Sequence, residues 1–113
     1  MKRSVFVALL ATLATASGCG SARRSDPLTG TLSLNAEQRH GQVLFHKFCH
    51  QCHPNGEAGL GPAINNKPAP LAMIRLQVRG GLGAMPAFPE KLLPDRELEA
   101  LLTFVDAQRD QSR

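Results

Sequence analysis

The chain has 113 residues, which is enough for one domain. Its formal charge of +4 includes Lys2 and Arg3 at the N-terminus, so the rest of the chain is closer to neutral. A nearly neutral chain without Trp or Tyr has none of the basic and aromatic surface typical of nucleic-acid binding, and we expect no nucleic-acid partner. The three cysteines are too few, and odd in number, for a disulfide scaffold.

The N-terminus has the pattern of an export signal, since two basic residues precede a short apolar run over residues 5–14. That run is too short to span a bilayer. Residues 16–19 read Ala-Ser-Gly-Cys and resemble a bacterial lipobox, in which the Cys becomes the lipidated first residue. Ala16 stands where such motifs usually carry Leu, so ordinary secretion with cleavage nearby stays open. We expect a lipoprotein-type signal peptide over residues 1–18 and a lipid on Cys19 that anchors the chain to a membrane of the bacterial cell envelope, with the domain facing the periplasm.

Residues 19–34 are rich in Ser, Gly, Thr and Arg and lack apolar periodicity, which predicts a flexible tether. The domain then spans residues 35–113. A first helix is predicted with Asn35 as its N-cap and Gln38 as the capping-box partner, and it runs to about Phe48. Its predicted buried face consists of Gly41, Leu44, Phe45 and Phe48. The missing side chain at Gly41 allows another helix to approach closely.

The helix leads into Cys49-His50-Gln51-Cys52-His53, a C-x-x-C-H motif typical of c-type haem attachment. Two thiols at this spacing can add across the two vinyl groups of a haem, and the following His can reach the iron. A thioredoxin-like redox pair needs a βαβ pattern, and no stretch alternates like a strand. A zinc site would use His50 or His53 with a more distant His, but the second half of a zinc motif is absent. We predict one covalently bound haem c on Cys49 and Cys52, with zinc and chance occurrence as the alternatives.

A loop follows the motif, and a second helix is predicted between Pro70 and Gly80-Gly81. Its apolar set is Leu71, Ile74 and Val78. Arg75 and Arg79 on this helix are interpreted as a solvated face, with neutralisation of haem propionates as the alternative. The histidines at positions 40, 46 and 50 are predicted to face solvent.

Residues 81–89 form another loop, which carries Met85. The last helix is predicted from about Asp95 to Gln108. Its stripe at i, i+3, i+4 and i+7 consists of Leu98, Leu101, Leu102 and Val105. A domain of about 75 residues in a chain with five Phe and no Trp has a thin core that would ordinarily need a staple. A haem would supply a large apolar plate for the helices to pack on.

These features, in this order, resemble a small class I c-type cytochrome over residues 36–108. The resemblance implies an all-α fold, the small cytochrome c fold, with three main helices packed around one covalently attached haem. It also places Gly41 and Phe104 at a close crossing of the first and last helices. Pro94 departs from the family pattern, because many relatives carry a Ser N-cap there.

The same resemblance implies that His53 is the proximal iron ligand and Met85 the distal one. It further implies that the Pro62 carbonyl accepts the other N–H of His53, which would fix the orientation of the ring. Ligation by Met and His raises the reduction potential. Met73 competes with Met85 but lies inside a predicted helix, where a Met more often belongs to the core. A His, or no protein ligand at all, is the remaining alternative.

The function expected from this reading is transfer of single electrons between redox partner proteins, with no small-molecule substrate at the iron. One alternative is a haem-bearing subunit of a larger membrane or periplasmic oxidoreductase complex. Another is a haem sensor or peroxide-reducing protein with an open distal site, although the sequence offers no evident distal His and Arg pair.

Overall fold

The structure is a computed structural model and describes residues 31–111. Three α-helices make up this part of the chain: α1, Ala36–Phe48; α2, Leu71–Gly80; and α3, Asp95–Gln111. A short 3₁₀ turn, Pro54–Gly56, follows the cysteine motif. Since the described residues contain no strand beyond one isolated bridge, the all-α prediction is confirmed. The predicted signal peptide, Cys19 and residues 20–30 of the tether lie outside the described range.

Helix α1 begins with the predicted capping box. The Asn35 side chain accepts the Gln38 backbone N–H, and the Gln38 side chain accepts the Asn35 backbone N–H, both at 2.9 Å. Two orphan donors at the helix start are thereby satisfied. Just before the cap, Leu32 and Leu34 are half-buried against the core, and Arg39 donates to the Leu34 carbonyl. The last residues of the predicted tether therefore pack on the domain.

Helices α1 and α3 make the principal helix–helix contact, and they cross where Gly41 meets Ala100. A Cβ at position 41 would lie 1.9 Å from the Ala100 carbonyl oxygen and 3.0 Å from the Phe104 Cβ. Beside this crossing the rings of Phe45 and Phe104 pack edge to face at 5.4 Å, a favourable aromatic geometry. The predicted close contact between Gly41 and Phe104 is confirmed.

Helix α3 buries its predicted stripe and continues to Gln111, one turn beyond the predicted end. Its first turn is closed by the Leu98 N–H, which donates to the Pro94 carbonyl at 2.9 Å, so the helix starts without a Ser cap. Gln108, at the predicted end of the helix, is buried and donates to the Asn55 carbonyl at 3.2 Å. The end of α3 thus fixes the turn that follows the cysteine motif.

Helix α2 packs through Val78 and Ile74, as predicted, while Leu71 is half-buried. It also pairs with α3 through its arginines. Arg75 forms an ion pair with Glu99. Arg79 binds the Phe88 and Leu93 carbonyls and pairs with Asp95. The prediction of a solvated face is wrong for Arg79, because the loop from 81 to 94 folds back over its side chain. Among the described residues, no helix combines the length and the apolar character needed to cross a membrane.

Candidate haem site

The cysteine motif folds as a turn at the end of α1. Cys49 is the C-cap residue, and its carbonyl accepts the N–H groups of Cys52 at 3.1 Å and His53 at 2.9 Å. Both cysteines are free thiols. Burial raises the pKa of the Cys49 thiol to about 12, and the charge of the neighbouring Cys52 adds to the rise. The turn thus carries two thiols three positions apart, which is the pair that thioether attachment to a haem requires.

His53, the last residue of the motif, is held in a fixed orientation with 9% of its surface exposed. Its Nδ1 lies 2.7 Å from the Pro62 carbonyl oxygen. Because a carbonyl only accepts, Nδ1 must carry the proton, which leaves the lone pair on Nε2 for a metal. Gly61 also packs against the imidazole ring, since a Cβ on this residue would lie 2.3 Å from the Cε1 atom of His53. The Gly61-Pro62 pair therefore both packs against the imidazole and orients it.

His50 has a structural role in this turn. Its Nδ1 accepts the backbone N–H of Asn55 at 3.1 Å, and Asn55 adopts a left-handed conformation with φ of 54°. Asn tolerates this conformation better than most residues. Solvent exposure is confirmed for His40 and His46 and is wrong for His50, which is half-buried because it supports the turn.

Met85 lies in a tight turn of the second loop. Its N–H donates to the Leu82 carbonyl at 2.9 Å, and the Leu82 N–H donates to the Met85 carbonyl at 3.0 Å. Gly83 between them has a φ of 56°, which favours glycine. The Met85 side chain is half-buried against the core. Both the N–H and the carbonyl of Met85 are thus hydrogen-bonded to Leu82.

Two further contacts bind the Met85 segment to the domain. Gly81 has a φ of 71°, and a Cβ on it would lie 2.8 Å from the Met85 carbonyl oxygen. Beyond Met85, the Phe88 ring packs edge-on against Phe48 at 5.8 Å. Phe48 directly precedes Cys49, so this aromatic pair connects the cysteine motif with the methionine loop.

The surroundings of these residues fit a haem. The loops 58–66 and 80–89, which contain Pro62 and Met85, carry no Asp, Glu, Lys, Arg or His. Leu60 and Leu82 are large apolar side chains that are exposed on these loops, and Met73 and Leu76 are exposed on helix α2. Uncharged loops with exposed apolar side chains, in a domain that also holds two thiols and an oriented imidazole, match the chemistry of a porphyrin. Within residues 31–111, no three His, Cys, Asp or Glu side chains group as metal ligands, which leaves the zinc interpretation without a ligand set there.

Sequence reasoning missed the role of Arg79, the residue that connects the end of α2 to the methionine loop. Its partners are two backbone carbonyls and a carboxylate 9 to 16 positions away in the chain. Backbone acceptors leave no trace in the sequence. The two features that could have indicated this role are the position of Arg79 in the last turn of α2 and the acidic residue Asp95 at the start of α3.

Comparison with known proteins agrees with this geometry. Residues 36–105 match the family described as cytochrome c oxidase, cbb3-type, subunit III. The cytochrome c subunit of 4-cresol dehydrogenase (hydroxylating) from Pseudomonas putida is 32% identical over 78 residues, which cover 69% of this chain and 68% of that protein. Cytochrome c6 from Synechocystis sp. is 30% identical over 90 residues, or 73% of this chain and 74% of that protein. No solved structure gives a significant match.

A three-helix domain with a C-x-x-C-H turn and an oriented imidazole defines a haem-attachment domain. The chain belongs to the c-type cytochromes, class I, and carries covalently bound haem c. It is an electron carrier, and its partners are redox proteins.

Proposed function

We propose that this cytochrome transfers single electrons in the bacterial cell envelope through a low-spin iron ligated by His53 and Met85. The bound haem c supplies the one-electron ferrous/ferric couple. The observation that carries the proposal is the orientation of His53 by the Pro62 carbonyl, and the hydrogen-bonded turn that contains Met85 supports the second ligand.

On the proximal side, the residues of the chain prepare the imidazole before any metal binds. The Pro62 carbonyl accepts the Nδ1 proton, which directs Nε2 to the iron and raises the basicity of the ring. Gly61 blocks rotation of the ring, because its backbone lies against the imidazole edge. A ligand with so little freedom keeps its geometry in both oxidation states, and this lowers the reorganisation that electron transfer requires.

On the distal side, Met85 is favoured over Met73. Met85 is half-buried in a loop whose backbone is fixed at Leu82 and Gly81. Met73 lies in helix α2 with 57% of its surface exposed. A thioether on a fixed loop is suited to a lasting iron–sulfur bond, and such a bond raises the reduction potential.

Absorption spectroscopy of the holoprotein tests this ligation. We expect a low-spin spectrum whose ferric form shows the weak far-red band of an iron–sulfur bond. Met85→Ala should abolish that band, convert the iron to high spin and lower the potential, whereas Met73→Ala should retain the band. A low-spin spectrum with the band intact in Met85→Ala would exclude Met85 as the ligand. Carbon monoxide binding to the reduced wild type at neutral pH would instead favour a sensor or peroxide-reducing site.

We further propose that a lipid on Cys19 anchors the protein to a membrane, with the domain in the periplasm. The lipobox-like stretch 16–19 and the chemistry of haem attachment outside the cytoplasm support this. In cells that export the full chain, Cys19→Ser should move the cytochrome from the membrane fraction to the soluble periplasmic fraction. A wild-type protein that is already soluble would refute the anchor and leave electron transfer untouched.

A second candidate is a haem-bearing subunit of a larger oxidoreductase complex. The observation in its favour is the relative from Pseudomonas putida, which is described as the cytochrome c subunit of a dehydrogenase. Purification from membranes in mild detergent discriminates the two. A partner that co-elutes in fixed stoichiometry supports the subunit, and a monomeric cytochrome supports the free carrier.

A further inference from the structure

The guanidinium of Arg79 lies at the junction of three segments: the end of α2, the end of the methionine loop and the start of α3. Its Nη1 donates to the Phe88 carbonyl at 2.9 Å and to the Leu93 carbonyl at 2.6 Å, and its Nη2 binds the Asp95 carboxylate. The Arg79 side chain is 22% exposed, whereas Asp95 is 66% exposed. The carbonyl bonds are therefore the better shielded part of this arrangement, because an exposed ion pair is largely screened by water.

We propose that Arg79 is a positioning residue that holds the Met85 segment in place for iron ligation. This inference rests on the proposed ligation by Met85. Phe88 follows Met85 by three residues, and its N–H donates to the Val78 carbonyl at 2.8 Å while its carbonyl accepts from Arg79. Both backbone groups of Phe88 are thus bound to the last turn of α2.

We call the Arg79 bonds to the Phe88 and Leu93 carbonyls the clamp. Its position matters because the other end of the Met85 turn is already fixed. Leu82 binds Met85 on the upstream side, and Gly81 packs under its carbonyl. On the downstream side Pro86 and Ala87 are exposed, and the next firm attachment is at Phe88. Loss of the Arg79 bonds therefore frees the downstream end of the segment, and it also releases the Leu93 carbonyl and Asp95 at the start of α3, while the α1–α3 crossing at Gly41 keeps its contacts.

Arginine is specifically suited to this role. Its planar fork presents several N–H donors at fixed angles, so one side chain can reach two carbonyls and a carboxylate together. Lysine has the same charge, but its side chain ends one atom short of the Nη positions, so its Nζ cannot reach the Phe88 and Leu93 carbonyls as Nη1 does. Arg75, one turn earlier on α2, pairs with Glu99 and provides a matched control with the same charge and the same helix.

The first measurement is amide hydrogen exchange of the holoprotein by NMR, with variants Arg79→Gln, Arg79→Lys and Arg75→Gln. We expect the amides of Met85 and Phe88 to exchange at least about tenfold faster in both Arg79 variants, relative to the Leu102 amide in the core, since two charge-assisted bonds are lost. Arg75→Gln should leave this ratio unchanged. An unchanged ratio in the Arg79 variants, or an equal increase in Arg75→Gln, would overturn the proposal.

If Arg79→Gln does not fold, Arg79→Lys decides the question. Wild-type protection in Arg79→Lys would assign the effect to charge alone and reject the clamp.

The second measurement is a urea titration that follows the far-red band and the far-ultraviolet circular dichroism together. In the wild type and Arg75→Gln the two transitions should coincide, whereas in the Arg79 variants the band should disappear at a lower urea concentration than the helices. Coincident transitions in the Arg79 variants would refute a role in holding Met85. A wild type without the band would refute Met85 ligation itself, and the exchange data would still decide whether Arg79 holds the loop.

Discussion

The sharpest structural prediction concerns Gly41, where helices α1 and α3 cross. In Gly41→Ala the new Cβ would lie 1.9 Å from the Ala100 carbonyl oxygen, whereas ordinary contact begins at 3.4 Å, so the helices must separate by about 1.5 Å. The obstacle is backbone, and no change of side-chain rotamer relieves it. A radial gap of only ~0.5–1 Å already forfeits a quarter to a half of each dispersion contact. The rings of Phe45 and Phe104 on this interface would lose packing on both helices.

The free energy of unfolding should therefore fall substantially. Overpacking costs about 1–3 kcal/mol and at times more, and we expect the upper end of that range because the clash is with backbone. Replacing glycine with alanine inside a helix recovers up to ~1 kcal/mol through helix propensity, which leaves a net loss of at least ~2 kcal/mol. For a domain of this size that corresponds to a Tm lower by roughly 8–16 °C.

Thermal and urea unfolding of the holoprotein, followed by far-ultraviolet circular dichroism, measures this loss. Gly80→Ala is the matched control, since a Cβ on Gly80 at the end of α2 meets nothing within 4 Å. The control should be neutral or slightly stabilising. If Gly41→Ala unfolds within ~0.5 kcal/mol of the wild type, the helices are not in backbone contact at this point and the argument fails.

Three further outcomes are expected. Asn35→Ala removes the cap from α1 and should cost about 1 kcal/mol of stability, and an unchanged thermal unfolding curve would contradict the capping box. Before haem attachment, and under conditions in which circular dichroism shows that the apoprotein is helical, the Cys49 thiol with its pKa of about 12 should resist alkylation at pH 9 compared with the urea-unfolded chain. The stability of that folded apoprotein should fall as pH rises from 9.0 towards 12, because the thiolate is favoured in the unfolded chain. Equal alkylation of folded and unfolded chains would refute the burial of that thiol. Gly61→Ala should displace the His53 ring, lower the stability by about 1–3 kcal/mol and disturb the low-spin spectrum, and an unaltered holoprotein would show that the loop can move aside.

The sequence was sufficient for features whose physics is local. The capping box at Asn35 and Gln38 depends on residues three positions apart, so its atoms meet whenever a helix forms. The stripe of α3 follows from helical periodicity alone, and all of its predicted members are buried. The C-x-x-C-H motif is similarly local, because one turn of backbone presents both thiols and the following imidazole.

Tertiary structure alone decided the features that depend on backbone atoms from distant segments. The acceptors of Arg79 are carbonyls, which every residue has, so no sequence pattern distinguishes those of Phe88 and Leu93. The half-buried position of His50 depends on the left-handed turn at Asn55, which Gln108 of α3 fixes from the other end of the domain. Side-chain types and their spacing are written in the sequence, whereas the choice among equivalent backbone partners is made only when the segments pack together.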